Sequence, residues 1–242
     1  MRYSAFSVGL TVVSLLAPIA RADSFTAKVT SLDAKNPQLL YNLSSVDSQS
    51  GGHTEIHAAF RFPDGRLAAS EFTELDGGDS GRIMKYTADL ELPPAHGLVE
   101  VRHGRVYFSH TVDGKTKTDD EKLGDTLVVP PTTVAFIRAN WDAIMKGDTV
   151  DARFAAVERR ETVGFKFFKS DTRKSDGRDV VVVTMKPTSF IIAAIRSPMT
   201  FVFDQASRRV LEFRGQILPK RDGKDQDADI QYQISSPKPA RR

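Results

Sequence analysis

The chain has 242 residues, is 40% hydrophobic and 27% charged, and contains no cysteine. That balance excludes collagen-like, long disordered and disulfide-scaffold classes, and the missing thiol rules out thiol catalysis and thiolate metal sites. Basic residues number 34 against 31 acidic ones, and the two signs are too interspersed for a nucleic-acid stripe.

At the N-terminus Arg2 precedes an uncharged run from Ala5 to Ala20 that includes Val8 to Leu16, and Ala20-Arg21-Ala22 follows. A positive start, a short apolar segment and a small-x-small site form the layout of a secretory signal peptide, cleaved here after Ala22. The apolar stretch is shorter than the roughly 20 residues a membrane span needs, so no transmembrane anchor is expected after cleavage. The mature protein is expected to be periplasmic or secreted. Arg2 and Arg21 leave with the signal and no acid does, so the mature body is close to neutral. The expected organisation is a signal peptide (1–22), a single β-rich domain (23–236) and a basic disordered tail (237–242).

Period-two alternation then dominates, as expected of half-buried strands. Ile56, Ala58, Phe60 and Phe62 share one face; His53, Glu55, His57 and Arg61 take the other. Pro63-Asp64-Gly65 is a turn, Arg66 to Leu75 a strand, and Gly77 to Gly81 a second turn. Met84, Tyr86, Ala88, Leu90 and Leu92 line one face of the next strand, which Pro93-Pro94 ends. Gly97–Arg102 and Arg105–Val112 form a hairpin across His103-Gly104. The acidic segment Thr118 to Glu121 is expected to tip a further hairpin. A helix is predicted over about 132–146, where Val134, Phe136, Ile137, Trp141, Ile144 and Met145 recur at helical spacing and Gly147 supplies the stop. Strands resume with Val150 to Ala156, then Val163, Phe165 and Phe167, then Arg178 to Lys186. Ser189 to Ile195 reads equally as helix or strand. Phe201 and Phe203, Val210 to Arg214, and Asp229 to Ile234 complete the pattern. The fold class is therefore mainly β: a large curled antiparallel sheet, an open or half barrel, packed around one amphipathic helix.

Three motifs invite a chemical reading and fail on context. Gly78-Asp79-Ser80-Gly81 resembles the nucleophile motif of chymotrypsin-like serine proteases, but Arg82 stands where that family has glycine and no base is placed to activate the serine. His53 and His57 lie about 13 Å apart along an extended strand, too far for one metal ion. Asp222 to Asp229 lacks the glycine and glutamate of a calcium loop. His110, in phase with Val106 and Phe108, is expected to point inward. No cofactor-binding signature is present, and no recognisable nucleophile–base set supports an enzyme.

Fifteen phenylalanines remain, many in phase with the inward strand face. They are either core or the lining of an apolar cavity. The residues expected to line such a cavity are Phe136, Trp141 and Met145 from the helix, facing Phe165, Phe167, Phe201 and Phe203.

The segment from Phe201 to Gly215, continuing through Asp229 to Tyr232, resembles a recurring hairpin of uncharacterised bacterial periplasmic β-rich proteins. Those are similar in architecture to the lipoprotein carriers and receptors, whose open β-barrels hold acyl chains. The resemblance implies a lipid or hydrophobic small molecule as partner. It assigns no ligand residue, and the lipidated cysteine of the membrane-bound receptors has no counterpart here. The reading is an exported protein binding an apolar or amphiphilic ligand. A non-catalytic envelope interaction module with a packed core is the alternative, and an exported hydrolase the third.

Overall fold

The computed structural model describes residues 24–33, 35–77, 81–124, 126–189 and 198–233. The expected signal peptide, the tail, the serine of the Gly-Asp-Ser-Gly motif and nearly all of the ambiguous 189–195 segment lie outside the described residues. Among the described residues the elements run β1 (Phe25–Ser31), β2 (Leu39–Ser50), β3 (His53–Arg61), β4 (Leu67–Asp76), β5 (Arg82–Glu91), β6 (Pro94–Arg102), β7 (Arg105–Val112), β8 (Lys115–Lys122) and β9 (Leu127–Val128). A 3-10 turn at Pro130–Thr132 and helices α1 (Thr133–Ala139) and α2 (Trp141–Lys146) follow. The described residues then run through β10 (Val150–Ala156), β11 (Glu161–Ser175), β12 (Arg178–Pro187), β13 (Met199–Asp204), β14 (Val210–Arg221) and β15 (Lys224–Gln233).

All the strands belong to one sheet, in the order β8-β7-β6-β5-β4-β3-β2-β1-β15-β14-β13-β12-β11-β10-β9. The first and last strands pair at its centre, with Val29 opposite Ile230. Two meandering arms extend from that pair. Their free edges, β8 and β9, are consecutive in sequence and joined by the short stretch 123–126. A few residues span at most about 3.6 Å each, so the two edges must lie close together and the sheet has to curl. The two arms meet without closing the ladder: the Thr162 amide on β11, two strands in from edge β9, donates to Glu121 Oε1 on edge strand β8 at 3.2 Å, and the Thr162 hydroxyl donates to the same oxygen. The fold is thus a curled, mainly antiparallel β-sheet that stops short of a closed barrel, with β9–β10 the parallel pair.

Turn chemistry accounts for the hairpins. At His103-Gly104 both residues have positive φ (49° and 72°), and Asp113-Gly114, Asp176-Gly177 and Asp222-Gly223 do the same. Two-residue loops of that kind match the right-handed twist of the strands they join. The acidic segment Thr118 to Glu121 is not a hairpin tip; it is half of edge strand β8, which is exposed along nearly its whole length. A charged edge of this kind discourages pairing with another chain.

Two further expectations change. On β5 the inward face is Ile83, Tyr86, Ala88 and Leu90, because a bulge pairs Leu75 with Ile83 and Glu74 with Lys85, leaving Met84 as the extra residue. Leu92 falls beyond the strand and is exposed. The single expected helix is two short ones, broken at Asn140, whose side-chain Nδ2 donates to the Phe136 carbonyl at 2.9 Å. Gly147 ends α2 in the left-handed conformation, at φ 100°.

Candidate ligand cavity

The concave face of the sheet encloses a cavity of about 1940 Å³, larger than the roughly 300–1,000 Å³ of ordinary small-molecule pockets. Its wall takes side chains from both arms and from α1. Leu43, Ile56, Phe60, Leu75 and Ile83 come from one arm, Phe165, Phe201, Phe213 and Ile217 from the other, and Val134 and Phe136 from the helix. Strand alternation places them there: every second residue is buried on β3, and from Ala69 onward on β4, and Ile56, Ala58, Phe60, Glu71 and Leu75 of these line the hollow.

Of the seven residues expected to line this space, Phe136, Phe165 and Phe201 do so. Trp141, Met145, Phe167 and Phe203 instead belong to the packing between the helices and the sheet. Ile137, Trp141 and Ile144 form the buried stripe of the helical segment. Trp141 meets Phe203 edge-on at 5.5 Å between centroids, and Phe136 rests on Phe167 at 5.0 Å. Helical spacing marks which residues are buried, but both the packed stripe and the cavity-facing flank of α1 are apolar, so spacing alone does not separate them.

The wall also contains polar groups that the sequence reading passed over. Glu71 and Tyr86 are buried, and the Tyr86 hydroxyl donates to Glu71 Oε1 at 2.6 Å. Burial pushes the Glu71 carboxyl up to about 7, against the lowering effect of the Tyr86 hydrogen bond. Burial likewise pushes the Tyr86 and Tyr232 phenols above their ordinary range, and the Glu71 charge adds to both. A signal for Glu71 existed: it is in phase with Ala69 and Leu75 on an otherwise inward face.

His110 does line the cavity and is half-buried; burial lowers its pKa and the Glu158 charge opposes the shift. It stands three strands from Glu71 in register, through Ala88 and Gly97. At 4.7–4.9 Å per strand that is roughly 14 Å, beyond any direct proton transfer between the two.

Charged residues mark the rim, Arg208 and Arg209 exposed, Arg138 and Lys220 half-buried. Arg138 donates through Nε to the Arg208 carbonyl at 2.9 Å, Arg208 pairs with Asp142 at 3.2 Å, and its guanidinium sits 5.7 Å over the Trp141 ring. Arg209 joins them in lining the opening. At another point Lys220 bridges Glu158 at 2.9 Å and Asp225 at 3.5 Å. The pair His57–Glu55, at 3.7 Å, lies on the outer face, and no metal-holding cluster of three such residues occurs among the described residues.

No protein-family model matches the chain, and no curated protein does. In three dimensions it is similar to the crystal structure of a β-barrel-like protein of a domain of unknown function, DUF1849, from Brucella abortus. The identity is 11%, the TM-score 0.50, and the likeness covers 88% of this chain and 97% of that one. At that identity the likeness shows the fold alone: mainly β and barrel-like.

Proposed function

We propose that this is an exported, non-enzymatic binding protein that holds an apolar or amphiphilic molecule, such as a lipid or acyl chain, in the hollow of its curled sheet. The observation that carries the reading is the cavity itself, about 1940 Å³ with a largely aliphatic and aromatic wall. Apolar surface left facing water in this quantity is costly, at roughly 25 cal/mol per Å², and an apolar guest removes that cost. The N-terminal export pattern and the carrier-like hairpin of the C-terminal segment agree with it. A packed interaction module accounts less well for an interior of this size.

The test is mass spectrometry of the protein purified from its native envelope, together with binding of the neutral dye Nile red after extraction with organic solvent. A copurifying lipid or other apolar molecule and saturable dye binding are expected. Ala58→Phe and Ala88→Phe, which place rings into the cavity from the strands on either side of β4, should each weaken dye binding by about tenfold (about 1.4 kcal/mol). Absence of dye binding in the stripped wild-type protein would sink the proposal. Trp141 fluorescence is a poor reporter, since the indole packs on Phe203 away from the cavity.

A further inference from the structure

One transverse row crosses the first arm of the sheet. Phe25, Ser45, Ala58, Glu71, Ala88, Gly97 and His110 are successive partners across seven strands, and every one of them lines the cavity. The positions beside Glu71 are alanines, and Gly97 is so closely covered by Val157 that a Cβ there would lie 2.5 Å from its Cγ1. The two alanines leave a shallow trough around the carboxyl, which Val157 closes at Gly97.

That carboxyl is short of partners. Its hydrogen bond among the described residues is the one from Tyr86, although a carboxylate has about four acceptor sites. The influences on it are burial and Tyr86, with no Lys or Arg among them. Two pairs along the ladder, on the same face, Thr73 faces Tyr86 in register, and its buried hydroxyl has no hydrogen-bond partner among the described residues. A buried acid without a cation is unfavourable for folding, so its place in a cavity wall calls for a use.

We propose that Glu71 is the polar anchor of the cavity, and that the molecule held there is an amphiphile with a cationic, hydrogen-bond-donating head, in its simplest form a protonated long-chain amine. This rests on the cavity being a ligand site. An ammonium group beside Glu71 supplies the missing counter-charge and up to three donors, while the chain lies along the apolar wall. An anionic head in the same place meets a like charge with no compensating cation. It would stay at the rim, near Arg138, Arg208 and Arg209.

The experiment is displacement of Nile red by dodecylamine, dodecanol and dodecanoate at about pH 8, where the carboxyl is ionised. In the wild-type protein dodecylamine should displace the dye at concentrations about tenfold or more below dodecanoate. Glu71→Gln should abolish that preference, so that dodecylamine and dodecanoate displace the dye at similar concentrations. Tyr86→Phe, which keeps the carboxylate and removes its present donor, should retain the preference. Dodecanoate binding as tightly as the amine, or a preference unchanged in Glu71→Gln or lost in both variants alike, overturns the assignment of Glu71 but leaves the cavity reading intact. Failure of the dye and all three compounds to bind the wild-type protein overturns both.

Discussion

Glu71 is one carboxyl among many, yet its setting couples it to the stability of the whole chain. The groups that face it are phenols: Tyr86 from β5 and Tyr232 from β15, both kept neutral by burial. The carboxyl is raised from 4.5 to about 7 in the folded state. Between those values the folded protein keeps a proton that the unfolded chain has released. The stability this confers is complete below about pH 4.5 and is lost as the pH rises through 7, on the order of 3 kcal/mol. Thermal melts across that range should show the wild-type protein falling relative to Glu71→Gln, with the gap constant on either side. His110, lowered by burial, acts in the opposite direction in an overlapping range, so the comparison with the variant is the informative one. Parallel pH profiles for the two proteins would show that Glu71 does not titrate in this window. The inward phase of this residue was legible in the alternation of β4. Its pairing with Tyr86 was not, because β3 to β5 carry bulges that shift which residues meet across the ladder.

At the scale of elements, the helical segment shows how far periodicity reaches. Spacing identified Ile137, Trp141 and Ile144 as apolar positions, and they form the buried stripe. The break at Asn140 follows from local chemistry: its side chain takes the Phe136 carbonyl, and its own amide is shared between the carbonyls of Phe136 and Ile137. The second helix is a clamp rather than a cavity wall. Trp141→Ala should therefore cost about 3–5 kcal/mol in urea denaturation, while the stripped, folded variant should bind Nile red within about threefold of wild type (below 1 kcal/mol). A selective loss of dye binding at unchanged stability would contradict that division of labour. On β12, Val180 to Met185 are buried on both faces. The unbroken β-branched run Val180 to Thr184 reads as a strand, but it does not say which side faces the hollow.

For the whole molecule the deciding feature is the seam between the two arms. Edge strands β8 and β9 are neighbours in sequence and stand at opposite ends of the strand order, brought together by the curl. Side chains, not a continuous ladder, bridge the approach: Glu121 takes both the amide and the hydroxyl of Thr162, while Arg153 donates to the same hydroxyl oxygen at 2.7 Å. Glu121→Ala should loosen this seam. Amide hydrogen exchange in β8 should speed up by tenfold or more, given that hydrogen bonds to charged groups contribute about 1.5–3 kcal/mol. The central β1–β15 pair should exchange as before. Equal acceleration in both regions would place Glu121 in the global core instead.

The sequence by itself determined the β-rich class, the positions of most strands, the helical stripe and the two-residue turn at His103-Gly104. Each follows from interactions between residues a few positions apart: alternation, helical spacing, and the positive φ that a tight turn demands. Only the tertiary structure decided that β1 pairs with β15, that the charged strand β8 is a free edge, that Phe136, Phe165 and Phe201 face open space while Trp141 and Phe203 do not, and that Glu71 meets Tyr86 in the wall. Alternation specifies which face of a strand turns inward. It carries no information about which distant strand lies alongside, nor about whether the space beyond that face is filled.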